Sequence, residues 1–163
     1  GIGARHITLS TRGMVPKIIE LASYPAQIRL AISLHGGDNK TRKKIMPIND
    51  RYPIEELIKA CEHFIEQRKK MITLEYILIK GVNDDLKQAE LLAEHANRLN
   101  AKVNLIPYNR VNGLEWERPD IEQVKLFHKT VAAGDTPRVT LRMEKGHDID
   151  AACGQLRLKE IKK

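Results

Sequence analysis

One cysteine near the C-terminus, Cys153, has a setting in which a thiol could react. Ala151, Ala152 and Gly154 surround it, so little side-chain bulk shields the sulfur. The nucleophilic form of cysteine is the thiolate, which needs access and a favourable local field rather than a tight apolar pocket. The neighbouring residues provide that access. Because an unpaired cysteine is more often inert than catalytic, the pattern by itself leaves both interpretations open.

A second group of residues with useful chemistry lies at the ends of predicted strands. Ser10 ends the first strand, Ser33, Leu34 and His35 end the second, and Asn109 lies just past the fourth. In parallel α/β folds the carboxyl ends of the strands converge on one face, so these residues are expected to share one rim. Such groups suit a polar cosubstrate. Each also has a plainer interpretation: a turn for Ser10, a satisfied surface side chain for His35, and a loop cap for Asn109.

The elements that must position these residues alternate along the chain. Short apolar or β-branched runs predict strands, which are Arg5 to Ser10, Ile28 to Leu34, Ile72 to Ile79, Lys102 to Ile106 and Arg138 to Arg142. Apolar residues at helical spacing predict helices between them, which are Val15 to Ala22, a segment around Ile54 to Ile65, Leu86 to Leu99, and a segment after Asp120. This alternation is typical of an α/β fold, a parallel sheet with flanking helices built from βαβ units. Five strands are too few to close an eight-stranded barrel, so either the sheet is open or the chain is a piece of a larger fold.

Three local predictions accompany these elements. Asp84 is expected to cap the third predicted helix, and Asp120 with Gln123 matches a capping box for the last one. Cys61 falls on the apolar face of the second predicted helix, so we expect it in the core as a small hydrophobe.

Composition indicates a globular protein with one domain. The chain has 163 residues, of which 42% are hydrophobic and 30% charged. A chain of this length can bury a hydrophobic core of its own. No apolar run approaches the roughly 18 residues of a membrane helix, and the N-terminus has no signal-peptide pattern, so we expect a cytoplasmic protein without a membrane partner. The two cysteines have no metal-ligand spacing, which predicts no metal site within the chain and agrees with a reducing compartment.

The charge of the chain favours a polyanionic partner. Its net charge is +7 and its pI is near 9.5, and lysine and arginine gain affinity by releasing counterions from phosphates. The basic residues are scattered, however, and short basic runs are usually solvated surface. Charge alone therefore suggests a nucleic-acid partner without establishing one.

Four segments of the chain resemble motifs of one enzyme family. The segment V-T-L-R-M-E-K-G-H-D-I-D-A-A-C-G-Q-L, residues 139–156, closely resembles the C-terminal signature of the RlmN/Cfr family, radical S-adenosylmethionine (SAM) enzymes that methylate adenine in ribosomal RNA. Ser10-Thr-Arg-Gly, Ile32-Ser-Leu-His35 and Asn104-Leu-Ile-Pro-Tyr-Asn109 resemble its SAM-contacting motifs, in the family's order. The sequence departs from the usual pattern at Arg12, Met143, His147 and the segment Gly36-Gly37-Asp38-Asn39, where the family more commonly has Ala-Pro-Asn-Asp.

The resemblance implies a fold and a set of site residues. The family uses a partial (β/α)₆ barrel, of which residues 1–163 would be the later βα units and the C-terminal tail. SAM would be bound by Ser10, Ser33, Leu34, His35 and Asn109, and Cys153 would be the S-methylcysteine intermediate. The family's C-x-x-x-C-x-x-C motif for the [4Fe-4S] cluster, its Gly-Glu-Pro motif and its accessory domain have no counterpart in this sequence. The chain alone is therefore expected to be inactive.

The resemblance also implies a reaction. One SAM methylates Cys153, and a second SAM, cleaved at the cluster with an electron from a donor, yields a radical that takes a hydrogen atom from the methyl group on that sulfur. The resulting methylene radical adds to C2 of an adenine in 23S rRNA, and in transfer RNA if that is also a substrate; C8 of adenine stays an alternative. A different interpretation is a non-catalytic basic α/β module that binds RNA, in which Cys153 is incidental.

Overall fold

Residues 7–143 are described by a computed structural model, in which five strands alternate with five helices. The strands are β1 Thr8–Thr11, β2 Arg29–Ser33, β3 Thr73–Leu78, β4 Lys102–Pro107 and β5 Val139–Leu141. The helices are α1 Val15–Ala22, α2 Asn39–Ile45, α3 Ile54–Arg68, α4 Leu86–Leu99 and α5 Ile121–Ala133, with a short 3₁₀ turn at Pro47–Asp50. The strands form one sheet in sequence order, and each neighbouring pair is parallel. The predicted α/β class is confirmed.

The main hydrophobic core lies between one face of this sheet and the helices. On β3, Leu74, Tyr76 and Leu78 are fully buried and belong to this core. Because side chains alternate along a strand, the residues between them project to the opposite face. The Tyr76 ring packs on the Phe127 ring of α5 with a centroid distance of 5.3 Å, and the Tyr76 hydroxyl donates to the Asn83 backbone carbonyl at 2.8 Å.

Cys61 is part of this core, as predicted. Its side chain on α3 is fully buried, and burial raises the pKa of its thiol to about 12. Since the thiolate is the reactive form of cysteine, Cys61 is chemically inert at neutral pH.

Several local predictions were wrong. The N-cap of α4 is Asp85, whose side chain accepts from the Gln88 backbone N–H at 3.1 Å, whereas Asp84 accepts from the N–H of Gly81. Asp120 does precede α5, but its side chain makes no capping hydrogen bond.

Gln123 does not complete the predicted capping box either. Its side chain donates to the backbone carbonyl of Asp84 at 2.6 Å and makes no reciprocal contact with its own N-cap.

Other differences concern elements and their ends. Helix α2 and the 3₁₀ turn were not predicted, because their seven and four residues are too short for a periodic apolar pattern. β1 ends at Thr11 rather than Ser10.

Within residues 7–143, no helix combines the length and the apolar character needed to cross a membrane.

β1 forms an edge of the described sheet and is poorly covered. Ile7 and Leu9 are 46% and 42% exposed, and the backbone of β1 pairs only with β2 within residues 7–143. An apolar groove of about 440 Å³ lies beside it, lined by Leu9, Ile18, Leu21, Tyr24 and Leu30 among others. An uncovered edge of this kind is a template for pairing with another chain.

We therefore expect the 163-residue chain to self-associate through β1. Leu9→Lys should shift it toward the monomer, because a lysine on an edge strand opposes strand pairing. Leu126→Lys is the matched control, since Leu126 is 44% exposed and lies on α5, which contacts β5 at the opposite side of the sheet from β1. Size-exclusion chromatography with light scattering measures the change. A wild-type monomer, or equal effects of the two substitutions, would contradict the prediction.

Candidate functional site

The sheet face away from the main core carries a row of polar side chains. Backbone register aligns Ser33 of β2 with Glu75 of β3, Glu75 with Asn104 of β4, and Asn104 with Thr140 of β5. Ser33, Glu75 and Asn104 are half-buried. Strand register and the two-residue period thus place four groups able to hydrogen-bond in one line across the sheet.

Ser10 joins this row through Glu75. The Ser10 hydroxyl on β1 donates to Oε2 of Glu75 at 3.0 Å, across the intervening strand β2. Sequence reasoning named Ser10 and missed Glu75. The available signal was a carboxylate between two apolar residues, Leu74 and Tyr76, in the middle of a buried strand. A carboxylate in a buried strand is costly unless the face on which it lies offers hydrogen-bonding partners.

His35 follows β2 in the left-handed backbone region, with φ of 57°. Its Nδ1 accepts a hydrogen bond from the Ile77 backbone N–H at 3.1 Å. In the neutral ring the proton must therefore reside on Nε2, because an accepting nitrogen carries no proton. The side chain can thus offer a ligand one donor, Nε2–H.

The charge state of His35 is also set by its surroundings. Burial, and secondly the positive charge of Arg42, lower the pKa of His35 to about 3. The residue as a whole is half-buried. At physiological pH the ring is therefore neutral.

The loop that begins with Leu34 and His35 is held by side chains from elsewhere in the chain. Asn83, which is fully buried, donates to the His35 carbonyl at 2.9 Å and accepts from the Ile79 N–H at 2.7 Å. Gln88 of α4 accepts from the Gly37 N–H at 2.7 Å. Sequence reasoning assigned Asn83 no role.

Leu34 differs from its neighbours because its side chain is buried in the main core. Its N–H donates to the Glu75 carbonyl at 2.9 Å, and its carbonyl accepts from Nε of Arg42 at 3.1 Å. Leu34 thus supports the loop through its backbone while its side chain faces the helices.

Asn109 also follows the carboxyl end of a strand, two residues after β4 ends at Pro107. Its Oδ1 accepts from Nη1 of Arg118 at 3.3 Å. The residue between, Tyr108, is fully buried in a second hydrophobic cluster, where its ring meets Trp116 edge-on at 6.0 Å. This packing fixes the chain just before Asn109.

The structure brings Ser10, Ser33 and His35 close to one another around β3. Asn109 lies at the carboxyl end of β4, two strands from Ser33 on β2. Cys153 lies outside the described residues, so its role stays a prediction. Among residues 7–143, no group of three or more histidine, cysteine or acidic side chains is arranged to hold a metal ion.

Two curated proteins similar to this chain carry nearly the same description. The chain is 55% identical over 159 residues to a probable dual-specificity RNA methyltransferase RlmN of Akkermansia muciniphila, covering 98% of the chain and 44% of that protein. It is 57% identical over 162 residues to a probable dual-specificity RNA methyltransferase RlmN 3 of Opitutus terrae, covering 99% of the chain and 43% of that protein. The chain therefore spans somewhat less than half the length of these relatives. No family model matches it.

Two solved structures resemble the fold. A radical SAM methyltransferase from Sphaerobacter thermophilus superposes with a TM-score of 0.88 at 44% identity, covering 94% of this chain and 45% of that one. A domain of pyruvate-formate lyase-activating enzyme from Bacteroides vulgatus gives a TM-score of 0.63 at 19% identity, covering 83% of this chain and 80% of that one. The second match is a likeness of fold alone.

The low pKa of His35 predicts a pH dependence of stability. The unfolded histidine titrates near 6.5, whereas the folded one titrates near 3. The stabilisation is thus fully present above about pH 6.5 and is lost as pH falls toward 3, because the unfolded chain binds a proton that the folded chain does not. Between pH 7 and pH 4 this one group should lower the free energy of unfolding by up to about 3 kcal/mol.

His35→Asn removes the titration while keeping an acceptor and a residue that tolerates the left-handed backbone. The stability difference between wild type and His35→Asn, measured by urea denaturation, should therefore shrink as pH falls. His63→Asn, on the exposed side of α3, is the control and should follow the wild type. A constant difference for His35→Asn across this pH range would refute the neutral state of His35.

Proposed function

Because the chain belongs to the family of RlmN-type RNA methyltransferases, we propose that it forms the C-terminal part of the catalytic domain of a radical SAM RNA methyltransferase. The observation that carries the proposal is 55–57% identity across 98–99% of the chain. The fold supports it, with a TM-score of 0.88 to a radical SAM methyltransferase. Since the chain spans 43–44% of these relatives, we propose that the remaining functions of the enzyme lie outside residues 1–163.

The proposed substrate is an adenine of 23S rRNA, methylated at C2, and the proposed second substrate is transfer RNA. C2 of a stacked adenine is inaccessible, so the target base must be unstacked or extruded. The net charge of +7 supports a nucleic-acid substrate. The proposed partners are this RNA and an electron donor, and the proposed location is the cytoplasm.

The groups on the open sheet face fit SAM as a ligand. Ribose hydroxyls and an amino-acid moiety need both donors and acceptors on an otherwise apolar floor. Ser10 and Glu75 provide a hydroxyl and a carboxylate 3.0 Å apart, Ser33 lies beside Glu75 in register, and His35 provides a neutral ring with Nδ1 occupied. When bound, SAM supplies the methyl group and the radical precursor.

The cysteines of this chain do not fit an iron–sulfur cluster. Such clusters are held by several cysteine thiolates, and the chain has two cysteines, of which Cys61 is buried in the core. We therefore propose that the [4Fe-4S] cluster has its ligands outside this chain. The role left to the chain is to bind and orient SAM through the loops after β1, β2 and β4.

In this proposal Cys153 accepts a methyl group. The thiol would lose its proton, and its sulfur would bond to the methyl carbon as the bond from that carbon to the sulfonium sulfur of SAM breaks. The residue would become S-methylcysteine, with S-adenosylhomocysteine as the leaving group. A thiolate at this position needs no apolar burial, unlike the thiol of Cys61.

The competing function, a non-catalytic RNA-binding module, makes a different prediction about the gene. If the reading frame upstream of Gly1 encodes C-x-x-x-C-x-x-C followed by Gly-Glu-Pro, the enzyme proposal is supported. A natural chain that begins near Gly1, with a start codon just upstream of it, would favour the binding module.

Substitution of Ser33 or Asn109 by alanine should weaken SAM binding in the complete enzyme without unfolding it. Loss of one hydrogen bond to a polar ligand costs about 0.5–1.5 kcal/mol, which is up to about tenfold in affinity. Ser23→Ala after α1 and Asn97→Ala on the exposed face of α4 are matched controls. Equilibrium dialysis with labelled SAM measures the affinities. Unchanged affinity in both site variants would remove these two residues from the site.

Cys153 should carry one additional methyl group in the complete enzyme when SAM is present and turnover is blocked. Cys61 should remain unmodified, because its thiol is buried and its pKa is raised to about 12. Peptide mass spectrometry distinguishes the two sites. A methyl group on neither cysteine would count against the methylated-cysteine mechanism.

A further inference from the structure

Arg42 of α2 is a charged residue that is fully buried. Its Nη2 donates to the Arg12 carbonyl at 2.7 Å, and its Nε donates to the Leu34 carbonyl at 3.1 Å. Nη1 donates to Oδ1 of Asn49 at 3.0 Å. A single guanidinium therefore joins the loop after β1 to the loop after β2.

The charge of Arg42 is solvated by neutral oxygens rather than neutralised by a carboxylate. No carboxylate of residues 7–143 lies within ion-pair distance of it. Burial lowers the pKa of Arg42 to about 10, so the side chain is still charged at neutral pH. An apolar side chain of similar volume is often at least as stabilising as a buried charge. The arginine is therefore better explained by the geometry that it imposes than by stability.

Two glycines show how closely the loops approach this side chain. A Cβ atom at Gly36 would lie 2.5 Å from the backbone nitrogen of Arg42, which leaves no room for alanine without movement of α2. A Cβ atom at Gly13, where φ is +94°, would lie 2.9 Å from Nη2 of Arg42. The main chains of both loops thus pack directly on this one residue.

We propose that Arg42 is a positioning residue of the SAM site, which sets the spacing between the loop after β1, the strand of Ser10, and the loop after β2 that carries His35. The inference rests on the proposed function for the identity of the ligand. A guanidinium is planar and directs its donors in a fixed fork, so its bonds to two carbonyls resist sliding of one loop past the other. Because Ser10 on β1 bonds Glu75 on β3, a shift of the β1 loop would also disturb the polar row across the sheet.

The test compares three variants of the complete enzyme. Arg42→Met removes every donor, and Arg42→Lys keeps a charge and donors without the fork. Val131→Ala truncates a fully buried residue of α5, away from both loops, and serves as the destabilised control. We expect SAM affinity to fall about tenfold or more in Arg42→Met and by less in Arg42→Lys, with Val131→Ala within about twofold of wild type.

A second measurement on the same proteins does not depend on SAM. Amide hydrogen exchange should accelerate at both Gly13 and Gly37 in Arg42→Met, because their loops lose a common tether, while amides of β4 keep their wild-type rates. In Val131→Ala these two loop amides should not be selectively accelerated. Acceleration in one loop alone, or uniform acceleration across the sheet, would overturn the inference.

The two measurements separate the possible failures. If wild-type enzyme does not bind SAM, the proposed function fails, and hydrogen exchange still decides whether Arg42 joins the loops. If both loops loosen in Arg42→Met but SAM affinity is unchanged, the positioning role is overturned. If the Arg42 variants and Val131→Ala lose affinity in proportion to their loss of melting temperature, Arg42 acts through stability alone and the inference fails.

Discussion

The loop after β2 has backbone groups that no strand satisfies, and side chains from other segments satisfy them. Arg42 donates to the Leu34 carbonyl, and Asn83 donates to the His35 carbonyl. Two residues further on, the Gly37 N–H donates to Gln88, and the Gly37 carbonyl is hydrogen-bonded to Nε2 of His95. Buried backbone groups left without partners are costly, so these bonds are a condition for the loop to be buried at all. The left-handed backbone of His35 adds a strain that the same bonds offset. The position of His35 in the candidate site depends on this network.

The sheet separates the core from the site through the period of its strands. On β3, Leu74 and Tyr76 enter the core, while Glu75 between them accepts from Ser10 on the other face. A shift of register by one residue would expose the apolar side chains and bury the carboxylate. The burial that stabilises the fold therefore also fixes which side chains can meet a ligand.

The two loop glycines show a cost of this arrangement. Gly36 and Gly37 stand where the resembled family more commonly has alanine and proline, and in this chain a Cβ at either position would collide with α2 or α4. Glycine allows the loop to lie against both helices, but it leaves more backbone freedom to be lost on folding. The hydrogen bonds of Arg42 and Gln88 to this loop supply the restraint that the glycines do not.

The sequence by itself determined the alternation of strands and helices, the burial of Cys61, the family, and the group of polar residues at the strand ends. These follow from short periodic patterns and from motifs of a few residues, which local geometry controls. Tertiary structure alone decided that Glu75 is the partner of Ser10 and that Arg42, within a run that looks like basic surface, is buried. The physical reason is distance along the chain: Ser10 and Glu75 are 65 residues apart and Arg12 and Arg42 are 30 apart, so their contacts exist only once register and helix packing have brought them together.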